Sequence, residues 1–314
     1  MDWRNRFFVM KILEVSRYKT NFPTHIVPFV TEQGEALRRQ GNEVDFFQVR
    51  GNYFRTKELR RKIAEFQPDI IHAHYGLSGI TAVLQNKVPV VITFHNGETA
   101  SFLVNLVSSL FSLRAKHVIY VAQHIYDKVV FKRKGRHCVM PCGVDLDECT
   151  LTDHAQARAE LGFVSTKKYV LFGGAFDNLR KNYPLLQDAV HLLDEENIVC
   201  LEMKGLSRSE ISKILCACDV FALPSKSEGS PQALKEAMAC NCPIVATDVA
   251  DIKYLLGDLP GHYICRFDSN DLAEKLKDAF AFGSRTEGRE RIKELGLTND
   301  RVAEKLMAIY QSVI

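Results

Sequence analysis

The sequence predicts an α/β protein with two doubly wound parallel sheets, each in a domain of its own. Short apolar, β-branched runs alternate with amphipathic stretches from one end of the chain to the other. Strands that alternate with helices indicate right-handed βαβ units, and nearly continuous apolar strands indicate a sheet covered by helices on both faces. The alternation restarts after a polar, irregular stretch at residues 142–154, so we expect a second domain to begin there.

Six strand candidates precede the polar stretch. They are VMKILEV (9–15), EVDFFQV (43–49), DIIHAH (69–74), PVVITF (89–94), HVIYVA (117–122) and HCVMP (137–141). The helical patterns between them carry end signals, because PFVTEQGEALRRQ stops at Gly41 and TKELRRKIAEF stops before Pro68. These elements form the predicted first domain, residues 1–150.

Five further strand candidates follow the polar stretch. They are YVLFGG (169–174), IVCLEM (198–203), VFALP (220–224), PIVATDV (243–249) and HYICRF (262–267). We assign residues 151–298 to the second domain and NDRVAEKLMAIYQSVI (299–314) to a final helix.

Composition narrows the class of protein. The 314 residues are 46% apolar and 25% charged, which is typical of a soluble globular enzyme of two domains. The net charge of +3 is too small for a nucleic-acid-binding face, so we expect no nucleic-acid partner. The nine cysteines are odd in number and lie mostly in apolar contexts, which favours free thiols in a reducing compartment.

The start of the chain, MDWRNRFFVMKILEV, is basic, but no small-residue cleavage site follows its apolar part. No apolar run approaches the roughly 18 residues that span a bilayer. We therefore expect a cytoplasmic protein. Met10 is an alternative start to Met1, because MKILEV is a complete first strand.

Two glutamates stand out in SEGSPQALKEAMACNCPIVATDV (227–249). Ligands of open parallel sheets bind outside the carboxyl ends of the strands. Glu228 follows the strand VFALP and therefore lies on the ligand edge. Ser230 suits the N-cap of the next helix and Pro231 its first position. Glu236 falls on the second turn of that helix.

This helix is predicted to run from Pro231 to about Asn241. At 100° per residue its small and apolar side chains form one arc, with Lys235 pointing away from it and Glu236 on its border. The arc consists of Ala233, Leu234, Ala237 and Met238.

The start of the helix is also a candidate anion site. Its free backbone N–H groups would take a diphosphate, which makes Gly229, Ser230 and Pro231 candidates for donor binding. Glu236 would accept from ribose hydroxyls and Glu228 from sugar hydroxyls. Spacing alone favours the alternative of a solvated loop glutamate and a surface helix glutamate.

The segment resembles the signature of family 4 of the retaining glycosyltransferases with the GT-B fold. That signature has a Glu, seven residues, a second Glu, a helix of small residues and a buried strand. The narrower pattern EGSPQ..KEAMAC..PIV.TDV resembles the branch that contains transferases of teichuronic acid biosynthesis. The resemblance implies that Glu228 faces the donor sugar and that Glu236 holds the ribose.

For the whole chain, the resemblance implies a GT-B fold of two Rossmann-like domains facing across a cleft. The first domain would bind the acceptor and the second the nucleotide-sugar. The final helix would cross back to the first domain.

A second segment, FGGAFDNLRKNYPLLQDAV (172–190), resembles the family's phosphate-binding turn. The resemblance implies that Lys181 neutralises the leaving diphosphate and that Gly174 lies at the turn. Many members carry an arginine where this chain has Ala175, and we expect Arg180 to supply that charge. A surface arginine beside a helix start is the equally weighted alternative.

PVVITFHNGETA (89–100) places His95 just past a strand. The family shows a histidine followed by glycine here, close to the donor sugar, so the resemblance assigns His95 to the donor site. Asn96 is interposed before Gly97, which departs from the pattern. A further departure is Cys142 in MPCGVD, where the family has asparagine in its interdomain segment.

We expect no metal. His72 and His74 lie on one face of a strand, but no third ligand has suitable spacing nearby. The pairs Cys216/Cys218 and Cys240/Cys242 fit packing better than a metal clip.

Two basic stretches bear on the acceptor. The loop SRYKTNFPTHIVPF (16–29) departs from the family's glycine pair, and Lys19, Thr20 and Asn21 are minor candidates for contact with acceptor or phosphate. DKVVFKRKGRH (127–137) is a basic patch that is either a solvated face or a contact with an anionic membrane.

The leading hypothesis is a retaining, metal-independent glycosyltransferase of hexosyltransferase type. Its donor is a UDP- or GDP-linked sugar, used as a substrate and not as a cofactor, and its acceptor is a glycan or lipid-linked molecule in cell-surface polysaccharide synthesis. We expect it in the cytoplasm, with peripheral contact at the inner face of the membrane as a further option. The alternative is a catalytically degenerate partner subunit, suggested by Ala175, Asn96 and the short chain. An NAD-dependent oxidoreductase is disfavoured, since GxGxxG is absent.

Overall fold

A computed structural model describes residues 9–20, 24–99 and 101–314 of the chain. By internal contacts the chain divides into two compact units, one of residues 1–143 with 299–314 and one of residues 144–298. Each unit contains one parallel sheet with helices packed on it. The predicted fold class, α/β with two parallel sheets, is confirmed. Residues 1–8, with the choice between Met1 and Met10, and Asn21 lie outside the described residues.

The N-terminal unit has a six-stranded sheet in the order β2-β1-β3-β4-β5-β6, with every neighbouring pair parallel. Its strands are β1 (Lys11–Arg17), β2 (Glu43–Val49), β3 (Ile70–His74), β4 (Val90–Phe94), β5 (His117–Tyr120) and β6 (His137–Val139). Its helices, numbered along the whole chain, are α1 (Pro28–Arg39), α2 (Lys57–Phe66), α3 (Gly76–Leu84), α4 (Phe102–Ser112), α5 (Gln123–Lys128) and α13 (Asn299–Gln311).

The C-terminal unit has a five-stranded parallel sheet in the order β11-β10-β9-β7-β8. Its strands are β7 (Lys168–Phe172), β8 (Ile198–Glu202), β9 (Val220–Leu223), β10 (Ile244–Thr247) and β11 (His262–Cys265). Its helices are α6 (His154–Glu160), α7 (Tyr183–Leu192), α8 (Arg208–Ala217), α9 (Gln232–Ala239), α10 (Ile252–Leu256), α11 (Ser269–Phe282) and α12 (Gly288–Glu294).

The central strands of both sheets are buried on both faces, as their continuous apolar runs predict. Ile71 and Ile92 in one sheet and Leu171 and Phe221 in the other are fully buried. Burial of each such side chain contributes about 1.5–3 kcal/mol to folding. This rigid packing holds the loops at the carboxyl ends of the strands in place.

The last helix, α13, belongs to the N-terminal unit. Leu306 and Tyr310 pack in one cluster with Ile12 and Leu37. At the first turn of the helix, the Asp300 carboxylate accepts from the Arg39 guanidinium at 2.9 Å. The last helix therefore packs in the same unit as β1 and α1.

The division between the units falls at 143/144, whereas the sequence suggested 150/151. The backbone N–H of Val144 donates to the Leu297 carbonyl at 2.9 Å. Cys149 is buried in the core of the second unit, and its carbonyl accepts from Arg289 at 2.7 Å. These contacts attach residues 144–150 to the second unit.

The helix that carries Glu236 differs from its prediction at its start. Helix α9 begins at Gln232, and Pro231 is its N-cap with extended backbone angles (φ −69°, ψ 117°). The predicted N-cap at Ser230 and first helical position at Pro231 are therefore wrong by one residue. The shift places the hydroxyl of Ser230 outside the helix, where it faces Lys235.

Among the described residues, no helix has both the length and the apolar character needed to cross a bilayer.

Candidate functional site

Glu228 lies in the loop between β9 and α9, with only 6% of its surface exposed. Its Oε1 accepts from Lys181 Nζ at 2.8 Å and from Ser225 Oγ at 2.8 Å, and its Oε2 accepts from Arg180 Nη1 at 2.7 Å. Burial raises the pKa of Glu228, but the Lys181 and Arg180 cations outweigh burial and hold the pKa below its ordinary value. The side chain is therefore a carboxylate at neutral pH.

Lys181 and Arg180 come from the loop after β7, the strand that pairs directly with β9. The guanidinium of Arg180 also donates to the Ser227 carbonyl at 2.7 Å, so the two loops are tied together. A Cβ on Gly174 would lie 2.8 Å from Lys181 Cγ, which explains why glycine occupies the turn. The structure thus brings Gly174, Arg180, Lys181 and Glu228 together.

Arg180 and Lys181 differ in exposure. The Lys181 side chain is 12% exposed, whereas that of Arg180 is 44% exposed. A charge–charge contact is stronger away from water, so Lys181 is the more strongly coupled partner of Glu228. Arg180 nevertheless contacts the same carboxylate, and its role as a substitute for an arginine at Ala175 stays a prediction.

Glu236 is buried on α9 and pairs with Arg208, the first residue of α8. Sequence reasoning placed Glu236 on the border of an apolar arc and did not identify Arg208. The sequence did contain a signal for a helix start at this position. Ser207 forms a capping box with Glu210, and Arg208 directly follows Ser207. A helix start is a common position for residues that face a ligand edge.

Lys235, predicted to point away from the apolar arc, is fully buried, because α9 is covered on all sides from Leu234 to Ala239. Its ammonium lies 3.5 Å from Ser230 Oγ. Burial raises the pKa of Asp251, and Lys235 opposes that effect. Lysine can bury its long aliphatic chain while its ammonium group reaches a polar partner. The periodicity of apolar residues along a helix does not reveal such burial.

The segment that leads into α9 consists of Gly229, Ser230 and Pro231. The fully buried Lys235 and the partly buried Asp251 lie beside it. Gly229 and Pro231 are buried and Ser230 is partly exposed. A buried lysine next to free N–H groups at a helix start is an arrangement that suits an anion. The assignment of these residues to donor binding remains a prediction.

His95 follows β4 in the N-terminal unit and is partly buried. Its Nε2 lies 3.2 Å from His74 Nδ1, and His74 Nε2 lies 2.7 Å from Glu14 Oε2. The rings of Phe29 and Tyr75 lie 4.7 Å from the His95 ring. A buried chain of hydrogen bonds and aromatic contacts therefore orients the imidazole.

The interposed Asn96 has a positive φ of 127°. Glycine reaches this region most easily, and asparagine tolerates positive φ better than most residues. The Glu98 carboxylate accepts from the N–H groups of His95 and Asn96, at 3.2 and 3.1 Å. The loop thus keeps a glycine-like turn after His95 without glycine.

Glu14, His72 and His74 form a buried cluster whose potential ligand atoms all lie within 4.8 Å of one another. The statement that His72 and His74 lack a third ligand is therefore wrong, because Glu14 arrives from β1 across the sheet. Sequence reasoning considered only nearby residues. A single acidic residue within the apolar strand KILEVSR was the available signal.

Protein groups already bond the atoms of this cluster. His72 Nδ1 forms a hydrogen bond with Tyr310 Oη at 2.6 Å, and its Nε2 forms one with Thr93 Oγ1 at 2.7 Å. Burial lowers the pKa of His72 to about 3, so the ring is neutral. Gln33 Nε2 donates to Glu14 Oε1 at 3.2 Å. This donor set fits a hydrogen-bond network better than a metal, which would need these lone pairs.

Burial raises the pKa of Glu14, but His72 and His74 and the hydrogen bonds from His74 and Gln33 lower it below its ordinary value. The network therefore surrounds a carboxylate. His74 links this carboxylate to His95.

The cysteines of the second unit pack in its core. Cys216, Cys218, Cys240 and Cys242 are buried, and the sulfurs of Cys218 and Cys242 lie 3.5 Å apart. Within the described ranges, the cluster around Glu14 is the one group with metal-ligand geometry. The packing interpretation of these cysteines fits the structure.

Two family models match the chain. Residues 45–148 match Glycosyltransferase Family 4, and residues 195–281 match Glycosyl transferases group 1. TuaC of Bacillus subtilis, a glycosyltransferase assigned by its name to teichuronic acid biosynthesis, is 25% identical over 223 residues, which are 62% of this chain and 57% of TuaC. The aligned part of the chain covers 64%, 57% and 65% of the length of three such relatives, TuaC being the second.

Solved structures with the same fold cover nearly the whole chain. The sucrose-phosphate synthase of Thermosynechococcus elongatus has a TM-score of 0.77 at 19% identity, over 96% of this chain and 98% of the synthase. Anabaena HepE in complex with UDP and glucose has a TM-score of 0.69 at 17% identity, over 95% of this chain and 99% of HepE. These similarities establish the GT-B fold.

Proposed function

We propose that the chain, which is similar to family 4 of the glycosyltransferases, transfers a sugar from a nucleotide-diphosphate donor to a glycan or lipid-linked acceptor. The observation that carries this proposal is the buried Glu228 carboxylate held between Lys181 and Arg180 at the ligand edge of a parallel sheet. A carboxylate accepts from sugar hydroxyls, and the two cations suit a diphosphate. The same small cluster thus offers groups for both halves of a nucleotide-sugar.

The diphosphate is the leaving group. The bond between the anomeric carbon and the diphosphate oxygen breaks, and its electron pair stays on the diphosphate. Lys181 and Arg180 stabilise the charge that develops there, with the start of α9 and the buried Lys235 as further positive groups. These cations take the part that a divalent metal plays in other transferases, so we propose metal-independent transfer.

The sugar and the ribose bind to the two glutamates. Glu228 accepts from hydroxyls of the donor sugar, and Glu236, paired with Arg208, accepts from the ribose hydroxyls. His95 contacts the donor sugar, with its ring oriented through His74 by Glu14. We propose retention of anomeric configuration by attack of the acceptor hydroxyl on the leaving-group side. The acceptor proton then passes to the departing diphosphate oxygen.

We propose a UDP- or GDP-linked hexose as the donor. HepE, which shares the fold, holds UDP and glucose, so UDP-glucose is the first donor to test. The similarity to TuaC supports an acceptor in cell-surface polysaccharide synthesis.

We also propose that the N-terminal unit contacts a membrane at its cytoplasmic face. Helix α4 exposes Phe102 at 75% and Leu103 at 66%, beside the basic stretch 127–137. Asn105 joins the two segments, since its amide donates to the Lys128 carbonyl at 2.8 Å and its oxygen accepts from the Val130 N–H at 3.2 Å. Exposed apolar side chains next to lysines and arginines suit an anionic bilayer.

Vesicle flotation tests this contact. We expect the protein to float with vesicles that contain anionic lipid, and the variant Phe102→Ser/Leu103→Ser to stay in solution. The control Leu179→Ser, at a leucine of the other unit that is 81% exposed, is expected to leave flotation unchanged. Equal flotation of all three proteins would remove this part of the proposal.

Calorimetric titration with UDP, GDP, ADP and CMP tests the proposed donor site. We expect one nucleoside diphosphate to bind to the wild type and Glu236→Ala to weaken it by about tenfold or more, since a hydrogen bond to a charged group contributes about 1.5–3 kcal/mol. If no nucleotide binds to the folded protein, the degenerate partner subunit suggested by Ala175 becomes the better account.

A further inference from the structure

The N-terminal unit contains a cavity of about 170 Å³ at the ligand edge of its sheet. It lies where three neighbouring strands end, because Arg17 closes β1, Tyr75 follows β3 and Glu98 follows β4. Lys19 and Ser78 also line it. The groups proposed to act in sugar transfer do not line this cavity.

Two cations line the cavity without a carboxylate partner. Neither the Arg17 nor the Lys19 side chain forms a hydrogen bond or an ion pair with any residue of the described ranges. Partial burial lowers the pKa of Lys19, and the nearby Arg17 cation lowers it further. Two like charges close to each other in a partly buried site are unfavourable unless an anion joins them.

The carboxylate in the cavity wall, Glu98, is directed elsewhere. Its Oε1 accepts from the Gly76 N–H at 2.7 Å, and its Oε2 accepts from the N–H groups of His95 and Asn96. Burial raises the pKa of Glu98, and these backbone hydrogen bonds oppose that effect. Both carboxylate oxygens are thus turned to the backbone and not to Arg17 or Lys19.

The start of α3 adds hydrogen-bond donors. This nine-residue helix begins at Gly76, so the N–H groups of Leu77 and Ser78 have no partner within the helix. The hydroxyl of Ser78 is fully buried and has no hydrogen-bond partner among the described residues. A buried hydroxyl without a partner in a cavity wall indicates a missing ligand.

We propose that this cavity binds a phosphate group of the acceptor. A phosphate offers enough oxygens for the fork of Arg17, the ammonium of Lys19, the Ser78 hydroxyl and the helix start at once, whereas a neutral sugar hydroxyl would leave both cations uncompensated. The tyrosine rings of Tyr53 and Tyr75 form the side walls, against which the attached ring packs. This assignment rests on the proposed transferase function and names its acceptor class.

The phosphate is either on a water-soluble sugar or polyol or in the diphosphate of a lipid-linked acceptor. Both present the same group to Arg17 and Lys19. Glucose 1-phosphate represents the first source, and vesicles with a polyprenyl diphosphate represent the second.

The test is calorimetry with inorganic phosphate and glucose 1-phosphate on the whole chain, with UDP present in excess to fill the donor site. We compare the wild type with Arg17→Gln/Lys19→Gln and with Ser78→Ala, and use Arg61→Gln on α2 as the control. Arg61 is an exposed cation of the same unit that does not line the cavity. We expect the double variant to bind both ligands at least about tenfold more weakly, Ser78→Ala a few-fold more weakly, and Arg61→Gln as the wild type does.

Sensitivity to salt and the neutral sugar glucose complete the test. Phosphate binding weakens as salt increases, and glucose binds at least about tenfold more weakly than glucose 1-phosphate. Vesicles with polyprenyl diphosphate that bind when glucose 1-phosphate does not would assign the lipid source. The proposal is overturned if inorganic phosphate, glucose 1-phosphate and the polyprenyl diphosphate vesicles all fail to bind to the wild type, or if the double variant binds these ligands as well as the wild type does.

These outcomes are separable from those of the donor site. Loss of UDP binding with intact, Arg17-dependent phosphate binding would contradict the transferase function and leave the phosphate site. UDP binding with no phosphate binding would contradict only the phosphate site.

Discussion

The buried carboxylates of the two units have different kinds of partner. In the C-terminal unit, Glu228 and Glu236 pair with lysine and arginine side chains. In the N-terminal unit, Glu14 is bonded to a histidine and a glutamine, and Glu98 to backbone N–H groups. Lysine and arginine keep their charge across the physiological range of pH, whereas histidine does not.

This difference suggests a division of tasks between the units. Fixed cations are suited to a diphosphate whose charge grows as it leaves, and their strength does not depend on pH near neutrality. A carboxylate–histidine chain is suited to fixing which nitrogen of His95 carries a proton. The C-terminal unit would thus stabilise the charge of the leaving diphosphate, and the N-terminal unit would orient the His95 ring.

The largest effect is expected for Lys181→Met. This change removes the more buried of the two cations on Glu228, and loss of one electrostatic group of this kind costs about 10²–10³ in kcat. Arg180→Met, at a side chain with 44% exposure, is expected to cost about tenfold or less. The rate of nucleotide release, compared among the wild type and the two variants, measures both losses in kcat. The Tm of each variant checks that it is folded. A larger loss for Arg180→Met would reverse the ranking of the two cations.

The next effect is expected for Glu14→Gln. Glu14 accepts hydrogen bonds on both oxygens, from Gln33 and His74, and an amide can accept on only one of them. The misoriented His95 is expected to lower kcat by about tenfold, because one positioned hydrogen bond contributes about 1 kcal/mol or more.

Binding of UDP provides the second readout for Glu14→Gln. It depends on the C-terminal unit, and we expect it to stay unchanged. Glu43→Gln, at an exposed ion pair with Lys11 in the same sheet, is the matched control. Equal turnover by Glu14→Gln and Glu43→Gln would show that the histidine chain has no part in orientation.

The last effect concerns stability and not turnover: His72 makes the stability of the fold depend on pH. Burial lowers the pKa of His72 to about 3 in the folded chain, while an unfolded histidine titrates near pH 6.5. Between these values the unfolded chain binds the additional proton, so stability falls as pH falls from about 6.5 towards 3, by up to about 1.4 kcal/mol per pH unit. Above about pH 6.5 this residue has no effect on the slope.

Chemical denaturation at pH 7, 6 and 5 measures this slope. His72→Asn is expected to have lower stability at pH 7 and a shallower decline towards pH 5 than the wild type. The comparison uses slopes, so it remains valid for a destabilised variant. An unchanged slope in His72→Asn would contradict the buried neutral imidazole.

The sequence predicted the fold class and the place of Glu228 because both follow from local pattern. Strand, loop and helix succeed one another around Glu228, and the loop after a parallel strand lies on the ligand edge. The partners of Glu228 were harder to assign from pattern, since Lys181 meets it only because β7 and β9 are neighbours in the sheet. Strand order depends on packing over the whole unit.

The burial of two charged side chains could not be predicted from the pattern of apolar residues. Lys235 is buried, and its ammonium approaches Ser230. Glu14 is buried in a strand whose other residues are apolar, and it joins histidines that are about 60 positions away. In both cases the energy comes from a specific polar partner, which periodicity cannot supply.

The central claim is that Glu228, held by Lys181 and Arg180, is at the centre of sugar transfer. The most direct measurement is release of UDP or GDP from a panel of UDP- and GDP-sugars, with a lipid extract as acceptor. It compares the wild type with Glu228→Gln and with Glu195→Gln, which alters an ion pair with Lys168 elsewhere in the same unit. We predict turnover of one donor by the wild type, a loss of at least about 100-fold in Glu228→Gln and a change within about twofold in Glu195→Gln. Wild-type turnover by folded Glu228→Gln would contradict the claim.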